Sequence, residues 1–113
     1  MSFKVDQINN GSIVYIAGEI DLSISGEMKD IILEQINLNQ KEHSFNLSKS
    51  VYANLTEVTY IDSSGIAGLI QSHQQAAKKG VDFYLFKVSE SVLKVIKLAR
   101  LDKIFKITEK ICE

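Results

Sequence analysis

The spacing of apolar residues changes several times along the chain, and each change marks an element. Phe3 and Val5 alternate with polar neighbours in Phe3–Ile8, the pattern of a half-buried strand, and the run stops at Asn9-Asn10-Gly11. Asn-Gly between two apolar runs signals a hairpin, because both residues tolerate positive φ. The partner run, Ser12-Ile13-Val14-Tyr15-Ile16-Ala17, is nearly all apolar and β-branched, as suits a more interior strand. Gly18-Glu19-Ile20-Asp21 reads as a loop, and Ser23 as the cap of a helix. That helix buries Ile24, Met28, Ile31, Ile32, Gln35 and Ile36 and ends near Asn37, with Gly26 weakening its first turn. Leu38–Ser50 is polar and irregular and reads as a long loop. Phe45 and Leu47 within it either dip back into the core or form an extra edge strand.

Val51–Leu55 has the composition of a buried strand, and the segment Tyr60–Gly65 after it reads as a turn. From there Ile66, Leu69, Ile70, His73 and Ala77 recur at helical spacing. Lys78-Lys79-Gly80 closes this helix, with positive charge at the negative end of its dipole and then a residue able to turn left-handed. Val81–Val88 is an aromatic-rich strand. Ser89, with Glu90 behind it, caps a helix that buries Val92, Leu93, Ile96 and Leu101 and exposes a solvated basic flank of Lys94, Lys97, Arg100 and Lys103. Ile104–Ile107 reads as a short last strand. A hairpin followed by helix–strand alternation predicts one α/β domain over residues 1–113. Its sheet is mixed, with about four to five strands: an opening β-hairpin, then parallel strands, with helices packed mainly on one face. In such a sheet the loops beyond the strands' carboxyl ends carry function. That places Gly18–Asp21 and Tyr60–Gly65 at the same end.

Composition changes this picture little. The 113 residues are 45% hydrophobic and 24% charged, ordinary values for one globular domain. The formal net charge of −1 gives no bulk attraction for nucleic acid or an anionic membrane. No apolar stretch approaches the ~20 residues of a membrane span, so direct membrane insertion is not expected. Cys112, the one cysteine, has neither a disulfide partner nor the companions of a zinc site. No metal or cofactor is expected, and the simplest location is the cytoplasm.

The candidate chemistry is Asp62-Ser63-Ser64-Gly65, small polar residues where a helix should begin. Ser and Asp there accept bonds from the unpaired N–H groups of the first turn, and Ser64 is the first choice as cap. A hydroxyl at such a position is also exposed beside the positive end of the helix dipole, as a nucleophile or a phosphate acceptor. Hydrolysis would need a nearby base and an oxyanion hole, and the turn is not Gly-x-Ser-x-Gly. His43 reads as a solvated loop residue and His73 as packed on its helix. Catalysis is therefore not expected.

Two separated motifs, Gly18-Glu19-Ile20-Asp21 and Asn54-Leu55-Thr56-Glu57-Val58-Thr59-Tyr60-Ile61-Asp62-Ser63-Ser64-Gly65-Ile66, resemble those of the STAS domain. More narrowly they resemble those of the bacterial anti-sigma factor antagonists. The resemblance runs on through Gly80 and Leu101–Ile107. It implies that Ser63 accepts phosphate, with Ser64 as second choice. The donor would be a serine/threonine kinase that is itself the anti-sigma factor and binds the ATP. A serine phosphatase would restore the active form. It also implies a partner surface at Asp21, Asp62, Ser63, Ser64, Gly65 and Ile66, indirect control of transcription, and a monomer or weak homodimer. The alternative is a non-catalytic STAS subunit of a signalling, lipid-transport or anion-transport complex, with or without a bound ligand. Leu38–Ser50 is longer than the family's usual connection, and Thr108–Glu113 is too short for a full closing helix.

Overall fold

In a computed structural model of the protein, residues 2–40 and 49–111 are described. The chain runs β1 (Ser2–Ile8), β2 (Gly11–Ile20), α1 (Leu22–Leu38), β3 (Ser50–Ile61), α2 (Ser63–Lys79), β4 (Asp82–Phe86), α3 (Glu90–Leu98), β5 (Lys106–Thr108). Among the described residues the strands form one sheet whose spatial order is the chain order. β1 and β2 pair antiparallel, and every later pair is parallel. The expected mixed sheet with an opening hairpin is thus the one found. The turn is Asn9-Asn10, neither residue at positive φ, and Gly11 opens β2 opposite Ile8. Gly11 has φ +148°, and a Cβ there would come within 1.7 Å of the Ser50 carbonyl oxygen.

Both strands that feed the candidate site are longer than their composition indicates. β2 does not stop at Ala17 but continues through Gly18-Glu19-Ile20, and β3 runs on from Leu55 to Ile61. Their far halves pair with each other, down to Ile20 opposite Ile61, with register shifts between Tyr15 and Ala17 and between Gly18 and Glu19. Gly18, at φ +99°, belongs to this bulged stretch rather than to a loop. β4 pairs with β3 only as far as Asn54. Beyond that point the Thr56 hydroxyl donates to the Lys87 carbonyl (3.1 Å), and the Ser89 hydroxyl donates to the Val58 carbonyl (2.7 Å). The start of α3 is thereby fixed to the unpaired side of β3.

One face of the sheet carries the main core. Val14 and Ile16 of β2, Val51, Ala53 and Leu55 of β3, and Phe83 and Leu85 of β4 are buried there. They pack under Met28, Ile32 and Ile36 of α1, Ile66 and Leu69 of α2, and Val92 and Ile96 of α3. The periodicities read from the sequence mostly mark the buried faces, Gln35 among them, but Ala77 of α2 is exposed and its neighbour Ala76 is buried instead. The Gln35 side-chain oxygen accepts from the Ser12 hydroxyl (2.7 Å) and from Gln7 Nε2 (3.2 Å), and Asn39 Nδ2 donates to the Ser12 oxygen (3.0 Å). This satisfied polar cluster seats the end of α1 on the hairpin. On the opposite face Tyr52 stacks on Tyr84 (centroids 5.0 Å apart) and meets Phe86 edge-on, with Ile13 beside them and Ile111 packed against the group. The segment after β5 thus contributes to covering this face without forming a helix. Phe45, Leu47, His43 and Cys112 lie outside the described residues, and with them the choice between a loop and an edge strand in residues 41–48.

The helix ends follow local chemistry at α2 and α3. Gly80 closes α2 at φ +71°, and the Ser89 side chain accepts from the Val92 N–H at α3. Gly26 has no such reason: nothing lies within 4 Å of where its Cβ would be. A glycine inside an exposed helix costs about 0.5–1 kcal/mol relative to alanine. Gly26→Ala is therefore expected to stabilise the fold by about that amount, read as a higher urea midpoint at unchanged slope.

Candidate functional site

Because β2 and β3 are parallel and end in register at Ile20 and Ile61, the helices that follow them start side by side. The Asp62 N–H donates to the Ile20 carbonyl (3.1 Å) and ties the two exits together. Each exit carries the same three-residue device, Asp-x-Ser. Asp21 caps α1, its carboxylate accepting from both the backbone N–H (3.0 Å) and the hydroxyl (2.6 Å) of Ser23. Asp62 caps α2 in the same way, accepting from the N–H (2.9 Å) and hydroxyl (2.5 Å) of Ser64 and also from the Gly65 N–H (3.2 Å). The caps are thus the aspartates, not Ser23 and Ser64. A carboxylate at this position accepts several N–H bonds and complements the helix dipole, whereas the serines serve as donors to it.

The bond from the Ser64 hydroxyl is the largest influence on the ionisation of Asp62, and it lowers the pKa. Desolvation, next in size, opposes it, and the backbone N–H groups of the first turn add to the lowering. Together the hydrogen bonds hold the Asp62 carboxyl below its usual 3.8.

The middle residue of each Asp-x-Ser is left pointing outward. Ser63 is exposed, and its hydroxyl has no hydrogen-bond partner among the described residues, while that of Ser64 is held by Asp62. Leu22, its counterpart on α1, is 79% exposed, although it is a large apolar side chain. The sequence reading passed over Leu22. The repeated Asp-x-Ser spacing was the signal that could have placed it beside Ser63. Gly65 and Ile66 face the other way. A Cβ on Gly65 would lie 2.6 Å from Ile61 Cγ1 and 2.8 Å from Ile20 Cγ2, so only glycine lets α2 start this close to the strand ends. Ile66 is buried in the main core. These two residues seat the turn, and Asp21, Leu22, Asp62 and Ser63 form its outer surface.

No histidine of α2 stands near Ser63. His73 is ten residues further on, roughly 15 Å along the axis at 1.5 Å per residue, and packs edge-to-face on Phe105 with centroids 6.0 Å apart. Among the described residues no group of three His, Cys, Asp or Glu side chains is close enough to hold a metal ion. No helix among them is long and apolar enough to cross a membrane.

Two outcomes follow from this geometry. Gly65→Ala is expected to destabilise by roughly 1–3 kcal/mol, because the added methyl overpacks against Ile61 and Ile20; chemical denaturation reads it directly. For Asp62 the folded carboxyl titrates below its unfolded value. Its contribution is therefore complete above the ordinary carboxylate range and disappears as pH falls through the folded value. Asp62→Asn is accordingly expected to be less stable than wild type at pH 7, with the gap closing as pH drops below about 4. A gap that stays constant from pH 7 to pH 3 would contradict the charged network.

The STAS domain family model matches residues 2–113. Solved structures share the fold. An anti-sigma factor antagonist from Mycobacterium paratuberculosis superposes at TM-score 0.78 and 19% identity, covering 97% of this chain and 86% of that one. A putative anti-sigma factor antagonist from Thermotoga maritima gives 0.75 and 21%, covering 96% and 87%. The anti-sigma factor antagonist SpoIIAA of Bacillus, in its phosphorylated form, gives 0.67 and 14%, covering 96% and 93%. With the family model spanning residues 2–113 and the sheet, helix order and paired helix starts in place, this chain belongs to the STAS domain family.

Proposed function

We propose that this protein is an anti-sigma factor antagonist, which binds an anti-sigma factor kinase through the paired helix starts and is released by phosphorylation of Ser63. The observation that carries the reading is the division of labour between adjacent serines. The Ser64 hydroxyl is held by Asp62, and the Ser63 hydroxyl is exposed without a partner. A kinase needs a hydroxyl that can reach the γ-phosphate of its ATP without first breaking a structural bond. Ser63 meets that need, and Ser64 does not.

The same geometry gives the switch a physical basis. Phosphorylation adds about −1.5 to −2 charge at pH 7. Asp62 is the next residue, and Asp21 caps the helix alongside. A partner surface matched to a neutral hydroxyl between two carboxylates would then face a dianion, and a loss of only 1.4 kcal/mol is tenfold in affinity. No change of fold is involved, because the Ser63 side chain holds nothing in place. A phosphatase acting on the same exposed position would reverse the change. Leu22, exposed beside these charges, supplies the apolar contact that such interfaces concentrate at their centre.

The test is incubation with ATP and the host's kinase fraction, followed by intact-mass analysis and site mapping. One added phosphate, located at Ser63 and absent from Ser63→Ala, is the expected result. Phosphate on Ser64 alone, or none under any condition, would remove the mechanism. With the kinase then purified, Leu22→Asp is expected to weaken its complex with the unphosphorylated protein at least tenfold while leaving the urea midpoint unchanged.

A further inference from the structure

The antagonist reading accounts for the acidic tip at Asp21, Asp62 and Ser63, but the tip is not the whole of that end of the molecule. α1 and α2 pack closely at Gly68, where a Cβ would be 3.3 Å from Met28 Cε and 3.7 Å from Lys29 Cβ. On their solvent side the two helices leave an open trough. Its upper part, about 180 Å³, is lined by Ser25, Gly26, Lys29, Ser64 and Gln71 among others. Its lower part, about 350 Å³, shares Lys29 and Gln71 and continues past Asn37, Gln74 and Gln75 to Lys79. The trough therefore begins at the cap of α2 and follows that helix to its last turn. From Ser64 to Lys79 this is roughly 22 Å at 1.5 Å per residue, about the length of seven extended residues or four helical turns.

Its chemistry is opposite in sign to the tip. The lining carries two lysines and no carboxylate. Neither Lys29 nor Lys79 has an ion-pair partner among the described residues, where the ion pair found is Lys106 with Asp82. Lys79 also complements the carboxyl end of α2, a role that Lys78 shares from outside the trough. Four of the other lining side chains, Asn37, Gln71, Gln74 and Gln75, are amides, which offer donors and acceptors together.

Gly26 is the independent sign that the trough is kept open. Gly11, Gly18 and Gly80 have positive φ, and Gly65 and Gly68 stand where a side chain would meet neighbours. Gly26 has neither reason. It lines the upper trough, is solvent-exposed, and a Cβ there would meet nothing. The fold does not ask for glycine at this position, and the helix is weakened by it. What a larger side chain would do is project into the trough.

We infer that the trough between α1 and α2 is a second part of the docking surface and receives an acidic, hydrogen-bonding segment of the kinase that docks at Ser63. Carboxylates of that segment meet Lys29 and Lys79, and its polar groups meet Gln71, Gln74 and Gln75. The inference rests on the antagonist reading and extends it. The complementary partner is basic over Asp21 and Asp62 and acidic along the trough, an arrangement that fixes its orientation and rejects partners with one sign only.

The experiment measures binding of the purified Ser63 kinase, by calorimetry at two salt concentrations, to wild type and a set of variants. Lys29→Glu/Lys79→Glu is expected to bind at least tenfold more weakly. Lys94→Glu/Lys103→Glu, the same charge change on and after α3, should stay within about twofold. Gly26→Gln fills the trough without changing charge and favours the helix. It should bind at least tenfold more weakly while resisting urea at least as well as wild type, an outcome that general damage to the fold would not produce. Ser63→Glu separates the two proposals. If it loses binding while Gly26→Gln and the Lys29/Lys79 variant bind as wild type, the trough is idle and the tip docks alone. Equal losses in both double-lysine variants would show a non-specific charge effect and overturn the trough. If wild type forms no complex with the kinase, the antagonist reading and the trough fall together.

Discussion

The structure depends most on the position of one carboxylate. Asp62 accepts hydrogen bonds from the start of its own helix, at the Ser64 N–H and hydroxyl and at the Gly65 N–H. Its backbone N–H is given to the end of the neighbouring strand at Ile20. A residue that caps its own helix and bonds to the end of the neighbouring strand fixes where α2 begins, and that beginning decides what Ser63 presents to solvent. Gly65 makes this possible by letting the helix start sit against Ile61 and Ile20 without an intervening methyl. Charge, hydrogen bonding and close packing thus meet within four consecutive residues.

The groups that hold the turn are Asp62, Ser64 and Gly65, and Ser63 between them is exposed, with its hydroxyl bonded to nothing among the described residues. Modification of Ser63 can alter the surface without touching the bonds beneath it, which is what a switch without refolding requires. The same arrangement on α1 places Leu22 where Ser63 stands on α2. The tip therefore combines two negative charges, one hydroxyl and one apolar side chain. A trough of opposite sign leads away from it between the helices. Such a surface discriminates by pattern rather than by area.

Much of this was legible in the residues. The opening hairpin, most of the apolar face of each helix and the Gly80 and Ser89 caps follow from local preferences that the tertiary structure does not override, whereas the last strand forms at Lys106–Thr108 rather than Ile104–Ile107. Misreadings cluster where pairing partners decide. Gly18-Glu19-Ile20 and Thr56–Tyr60 are too polar or too irregular to announce strands, yet each is the other's partner in a bulged parallel ladder. The caps were assigned to Ser23 and Ser64, because serine before an apolar run is a good cap by composition. Aspartate two residues earlier is a better acceptor, and once it takes the position the serine becomes a donor.

The sequence by itself determined the elements, the hairpin, the helix faces and the family motifs that single out Asp62 and Ser63, because those rest on short-range sterics and periodic burial. Only the tertiary structure decided that the two Asp-x-Ser turns lie side by side, tied by the bond from the Asp62 N–H to the Ile20 carbonyl. It alone separated the exposed Ser63 from the bonded Ser64, and left a basic trough beside an acidic tip. These are consequences of the parallel register of β2 and β3, and register depends on contacts between residues about forty positions apart, which no local pattern encodes.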